Sequence, residues 1–391
     1  MGMGTRLFSA LPLLFASAAV MGGDDATHRL DILDKSVTLN GATTIAKSFD
    51  GMLPGPVLRA REGQIFSATF CNKLDEPTSV HWHGVRLPND QDGVPVITTP
   101  EIEPNTCFTY KFPVVQSGTY WYHSHSVNMH AHTNGHEQQG LYGALIFDPK
   151  GVDPLKADHE IPIVLSDYTH DNHVMDKLKR DDDYYSQCKG TVQSWDKVIA
   201  HGSQAVKNRI ETARPGRGAR YKSDVCYSAK GDGFLINGKP VTQLDASDPV
   251  AQHESVRLRI INAGAATTFD VRSGCGGDMK IIAKDGMPTE AKSVSSFQMM
   301  PAETYDVLIY KHEEKSCGIR ATSIDGTGEV LGMIGTGGNP VLPPAMEKPN
   351  PYLSGHDHHA MGHGMNHGDH KMKMDHAAMG HGMHGMNRDM G

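Results

Sequence analysis

Two histidine pairs, His81-Trp82-His83 and His123-Ser124-His125, restrict the folds open to this chain more than any other feature. Each lies in a stretch with β-strand character, and each is flanked by aromatics: Trp82 in the first, Tyr120-Trp121-Tyr122 before the second. On a strand, residues i and i+2 share a face, roughly 6–7 Å apart. That spacing is too wide for both rings of a pair to chelate one ion comfortably. It suits each ring to hold one of two adjacent metals. Two such strands side by side aim four imidazoles at one place, so the pattern asks for a sheet in which they are neighbours. Imidazole suits copper, zinc, iron and nickel.

The rest of the chain supplies such a setting. Gln64–Phe70, Thr106–Phe112, Tyr142–Phe147, Ile161–Leu165, Val256–Asn262 and Tyr305–Tyr310 are short, rich in aromatic or β-branched residues, and separated by Gly, Pro, Asn and Asp. That is the signature of strands in β-sandwiches. No long helical periodicity competes, so the fold class is all-β. The chain is long enough for more than one core, and two are expected, at about 25–150 and 155–345. Between them, residues 170–232 read as an inserted, partly helical or irregular excursion at the start of the second sandwich. It is highly charged at Asp176–Asp183 and rich in Arg and Gly at Ala213–Arg220.

Residues 1–21 read as a secretory signal. Arg6 supplies the charge, Leu7–Val20 the apolar run, and Ala16-Ser17-Ala18 a small-residue cleavage site. The run is too short and too early for a membrane span; a retained N-terminal anchor is the other reading. No twin arginine precedes it, which implies Sec-type export to the periplasm or beyond, with metal loaded outside the cytoplasm. No stable membrane insertion is expected. Six cysteines fit an oxidising compartment. Nearest-neighbour pairing (Cys71 with Cys107, Cys188 with Cys226, Cys275 with Cys317) is one of fifteen connectivities. The net charge of −8 argues against a nucleic-acid partner.

The C-terminal part, 346–391, is low-complexity. From His356 to Gly391 it holds nine histidines and eight methionines among Gly and Asp. With few other bulky apolar residues it forms no packed core and reads as a disordered tail. Thioether selects Cu(I), and imidazole accepts copper in both oxidation states. The tail therefore reads as several weak copper sites, with a flexible linker or a tag as the plainer alternative.

Four stretches resemble the multicopper oxidase family: Gly51–Pro56 running on to Arg61-Glu62-Gly63, His81-Trp82-His83-Gly84, Gly118–Ser126, and Gln139–Ile146. The second sandwich resembles it more loosely, at Leu235–Gly238, Arg257–Asn262, Ala283–Gly286 and Pro301–Asp306. Leu165-Ser166-Asp167, Asp183-Tyr184-Tyr185 and the Met/His run resemble the copper-resistance protein A subfamily. The resemblance implies two tandem cupredoxin-like Greek-key sandwiches. It also implies copper as cofactor, with His81 holding a type-2 ion and His83, His123 and His125 a type-3 pair. Asp92 would be the acid that helps move protons; a turn-capping aspartate is the alternative.

Two departures stand out. The family's His-Cys-His and His-x-x-His-x-His motifs do not occur here, and no cysteine is flanked by histidine. His253 and His312 are unpaired and read as surface residues. A third cupredoxin domain is thus expected to be absent from this chain, whether by truncation or because a second chain contributes it. Met129, His130, His132 and His136 form a further local departure. They read either as an extra copper-collecting loop or as a polar surface loop. The expected function is periplasmic copper resistance, with oxidation of Cu(I) or a phenol by dioxygen implied by the family but not expected of this chain alone. The alternatives are copper sequestration and a copper-free interaction protein.

Overall fold

The computed structural model describes residues 25–126, 134–170, 195–212, 232–324 and 326–346. The signal-like segment, Met129, His130, His132, Cys188, Cys226 and the Met/His run from His356 lie outside the described residues.

The first sandwich comprises β1 (Asp25–Leu39), β2 (Ala42–Phe49), β3 (Gly55–Arg61), β4 (Ile65–Asn72), β5 (His81–His83), β6 (Cys107–Pro113), β7 (Gly118–His123) and β8 (Tyr142–Asp148). Two four-stranded sheets result, ordered β2-β1-β4-β6 and β3-β8-β7-β5. β1 pairs with β4 and β3 with β8 in parallel; the other neighbours are antiparallel. Parallel neighbours cannot be joined by tight hairpins, so the chain crosses between sheets in the Greek-key manner. Aromatic side chains fill the space between. Trp82 stands edge-on to Phe66 and Tyr110, with ring centroids 5.1 and 5.4 Å away, a geometry worth about 0.5–1.5 kcal/mol per pair beyond area burial.

The second sandwich comprises β9 (His159–Tyr168), β10 (Gly233–Ile236), β11 (Val241–Gln243), β12 (Ser255–Asn262), β13 (Phe269–Ser273), β14 (Met279–Lys284), β15 (Met287–Val294), β16 (Ser296–Met299), β17 (Thr304–Tyr310), β18 (Cys317–Ser323) and β19 (Glu329–Ile334). Its sheets are ordered β10-β9-β12-β17-β14-β15 and β11-β19-β18-β13-β16. Two short helices, Trp195–Ala200 and Ser203–Thr212, fall between β9 and β10. Disulfides join Cys71 to Cys107, which sit directly opposite each other on β4 and β6, and Cys275 to Cys317.

Strand alternation explains how the sandwiches meet. Along β7, Tyr120 and Tyr122 enter the first core. Trp121, on the opposite face, packs with Tyr142, Ala144, Val164, Ile261 and Ala263 in a separate cluster that spans both sandwiches. Thr119, on the same face as Trp121, donates to Asp306 Oδ1 at 2.5 Å. A chain of charge, buried at Arg257, Arg259 and Asp306 and open to solvent at its ends, runs along this seam. Arg257 joins Asp153 and Asp306, Arg259 joins Asp306 and Glu160, and Arg59 joins Glu160 and Asp148. Two glycines let the backbones touch: a Cβ on Gly118 would lie 2.3 Å from the carbonyl oxygen of Gly286.

Candidate metal centre

The register of β5 on β7 builds the centre. His81 faces His123 across the ladder, Trp82 faces Tyr122, and His83 faces Trp121. Trp82 points into the first core, so by strand alternation His81 and His83 project from the other face. Directly opposite residues have Cβ atoms about 4.5–5.5 Å apart, and diagonal ones remain within reach of long side chains. The four rings therefore converge. The His81 ring centroid lies 5.7 Å from His83, 5.4 Å from His123 and 5.5 Å from His125, while His123 lies 5.5 Å from His83 and 5.9 Å from His125.

One donor nitrogen from each of His81, His83 and His123 falls within 4.8 Å of the others. Two imidazole donors on one zinc-like ion, each at about 2.0–2.1 Å, stand no more than about 4.2 Å apart. Three donors at that distance from a single ion stand no more than about 3.6 Å apart pairwise, so the set would have to close by about an ångström around one ion, or two ions would share it. His83 Nδ1 and His123 Nε2 are already 3.3 Å apart. His125 is exposed, and its backbone N–H is held by Ser79 Oγ at 3.1 Å.

The partners of the other ring nitrogens fix the tautomers. His81 Nδ1–H donates to the backbone carbonyl of Asp92 at 2.7 Å, which leaves the Nε2 lone pair available. His123 Nδ1–H donates to the Ser124 carbonyl at 3.0 Å, with Glu137 Oε2 3.3 Å away, which leaves Nε2 available opposite His83. A ligating histidine typically donates its second N–H to a carbonyl or carboxylate in this way. Burial favours the uncharged ring at His81 and His83. It lowers His81 below the usual imidazole range, and burial with the adjacent His123 and His81 brings His83 down to about 4. Neutral rings at these two positions offer lone pairs to a cation.

Asp92 sits beside His81, with Oδ1 3.5 Å from its Nδ1. The turn that carries it depends on Gly93, whose φ is +78° and where a Cβ would lie 1.7 Å from the Val80 carbonyl oxygen. His136 is placed differently. It is buried, with Nδ1 3.0 Å from Thr78 Oγ1, within hydrogen-bond distance, and Nε2 at ion-pair distance, 3.3 Å, from Glu76 Oε1. His253 and His312 are exposed, as expected. Sequence reasoning did not assign roles to Trp121, Thr78 or Ser79. The Trp121 indole stacks on His123 at 4.1 Å and on His83 at 4.9 Å. The available signal was the run of hydroxyl residues around both pairs: Thr78-Ser79 before the first, Ser124 and Ser126 about His125.

A Greek-key sandwich with imidazoles gathered at one sheet edge, joined to a second sandwich of the same kind, defines a cupredoxin-type copper protein. Multicopper oxidase models match residues 32–151 and 159–326, and the chain belongs to the multicopper oxidase family. It is 37% identical over 347 residues to copper resistance protein A of Escherichia coli, covering 87% of this chain and 55% of that protein. A copper resistance protein A homolog from Pseudomonas syringae pv. tomato is 34% identical, with 85% and 56% covered. The chain thus spans about half the length of the curated relatives it matches. Among solved structures, a blue copper oxidase from Nitrosomonas europaea is similar with a TM-score of 0.57 at 26% identity, over 79% of this chain and 85% of that one.

Proposed function

We propose that this chain binds copper through His81, His83, His123 and His125 and serves copper tolerance outside the cytoplasm. The convergence of four imidazoles, three of them on the paired strands β5 and β7 and His125 just beyond the end of β7, carries this reading. In the arrangement the family implies, His81 would hold a type-2 ion and His83, His123 and His125 a type-3 pair. Copper there would supply single-electron chemistry between a reduced donor and dioxygen. The chain's own groups prepare the site. The Asp92 carbonyl holds the His81 tautomer, the Ser124 carbonyl holds that of His123, and Trp121 braces the His83 and His123 rings. The Asp92 carboxylate stands where it could accept or return a proton near His81. Met129, His130 and His132 would form a collecting loop. The Met/His tail would buffer further copper, many weak sites on one segment gaining effective concentration.

The proposal is copper binding rather than self-sufficient turnover. No cysteine of this sequence adjoins a histidine, and Cys71, Cys107, Cys275 and Cys317 are tied in disulfides. A blue-copper centre needs a cysteine sulfur, so oxidation of Cu(I) or a phenol would call for a type-1 site beyond this sequence, whether further along the same polypeptide or on a second chain. The test is metal analysis after dialysis on the parent chain and on His81→Ala/His123→Ala. The double variant should lose copper that the parent keeps. Equal retention by both would overturn the assignment, and sustained dioxygen consumption by the isolated chain would overturn the view that it does not turn over alone.

A further inference from the structure

Behind the histidine cluster a single file of buried polar groups runs from the second pair towards the surface. Thr78 Oγ1 lies 3.2 Å from Ser124 Oγ and 3.0 Å from His136 Nδ1. His136 Nε2 lies 3.3 Å from Glu76 Oε1, which is paired with Lys47 at 2.5 Å; Asp34 stands 3.7 Å from Lys47 at the outer end. Thr78, Ser124 and His136 are each no more than 1% exposed.

Chemistry gives this file one direction. A carboxylate accepts, so it selects the His136 tautomer with the proton on Nε2. Burial and the nearby Lys47 charge bring His136 down to about 4, consistent with a neutral ring. Its Nδ1 must then accept, which turns the Thr78 O–H towards it. Thr78 Oγ1 is left to accept from the Ser124 O–H. Ser124 Oγ in turn accepts the Ser126 backbone N–H at 3.1 Å. Next to Thr78, Ser79 Oγ takes the His125 N–H at 3.1 Å and the Ser126 hydroxyl at 3.0 Å. The two residues that lead into the first pair thereby clasp the backbone on both sides of His125, and Ser124, gripped by Thr78, presents the carbonyl that holds His123.

We infer that Thr78, backed by His136 and Glu76, is a positioning element that locks the second histidine pair against the first. This rests on the copper reading of the cluster and deepens it. His136 acts from behind the site as an orienting group, not as a ligand. Partners of this kind typically change metal affinity by about 10–100-fold when removed.

The test is Cu(II) titration with electron paramagnetic resonance on the full chain. The variants are Thr78→Val, Thr78→Ser and Glu76→Gln, with His123→Ala as control. Tail copper is common to all and cancels in difference spectra. Thr78→Val keeps shape and removes the hydroxyl. It should weaken the cluster's copper about tenfold and alter the hyperfine pattern, while Thr78→Ser should restore both. Glu76→Gln lies at the outer, part-exposed end, so it tests the file even if Thr78→Val fails to fold, and it should shift both readouts in the same direction. A folded Thr78→Val or Glu76→Gln with the parent's affinity and spectrum would overturn the positioning role while His123→Ala still lost the signal. If His123→Ala also left the signal unchanged, the copper reading itself would fall.

Discussion

Replacing Arg259 with Met tests the seam that holds β7, and with it His123, against the second sandwich. The Arg259 guanidinium is 1% exposed. Nη1 donates to Thr119 Oγ1 at 2.8 Å and lies 3.4 Å from Asp306 Oδ2, while Nη2 pairs with Glu160 Oε2 at 2.7 Å. Methionine fills much of the same volume, so the loss is mainly one of charge and hydrogen bonds. In the parent, Arg59, Arg257 and Arg259 face Asp148, Asp153, Glu160 and Asp306. Without Arg259 the negative excess grows by one charge in a dry setting. Breaking a fully buried pair typically costs about 3–5 kcal/mol. Here Asp306 keeps Arg257, and Glu160, a quarter exposed, keeps Arg59 at 2.8 Å. The lower end applies, about 3 kcal/mol. Urea unfolding followed by tryptophan fluorescence measures it, since Trp121 lies in the seam two residues beyond Thr119. Adding Asp306→Asn restores the charge balance, so the double variant should be more stable than the single losses sum to, by at least about 1 kcal/mol. Arg259→Met within about 0.5 kcal/mol of the parent, or strict additivity, would refute the electrostatic account of the seam.

Gly93→Ala forces a left-handed backbone onto a Cβ residue and drives that Cβ into the Val80 carbonyl. The Asp92 carbonyl should leave His81, and copper affinity should fall about 10–100-fold; an unchanged titration would refute this. Burial opposes protonation of His159, but Glu254 at 2.7 Å and Asp248 at 3.0 Å raise it above its ordinary 6.5. A raised value means that this contribution is complete below about 6.5 and is lost as pH rises through the folded-state value. The melting-temperature gap between the parent and His159→Gln should therefore shrink above neutrality, and a gap independent of pH would contradict it. Deleting residues 356–391 should lower the copper retained after dialysis, measured by metal analysis. An unchanged count would remove the tail from copper handling.

Much of the first sandwich was legible because its signals are local. Turn residues bounded Ile65–Asn72, Cys107–Pro113 and Tyr142–Asp148 to within a residue or two of the expected stretches. Period-two spacing placed His81 with His83 on one face, and His123 with His125. β15 was not legible. All of its residues from Met287 to Ser293 are exposed, so no apolar alternation marks it, and only its pairing with β14 makes it a strand. Proximity in the chain groups His136 with the histidine loop; the structure buries it with Nδ1 on Thr78 and Nε2 beside Glu76.

Alone, the sequence determined that imidazoles would line a strand face, and that aromatic and β-branched runs would stack into two sandwiches. Both follow from which residues a pleat turns inwards. Tertiary structure decided which strand lies beside which, hence that His81 faces His123, that the Asp92 and Ser124 carbonyls hold their protons, and that Arg259 lies buried between two sandwiches. Strand pairing and the contacts of Arg259 bring together groups that lie tens to more than a hundred residues apart along the chain, and spacing along a chain does not encode that.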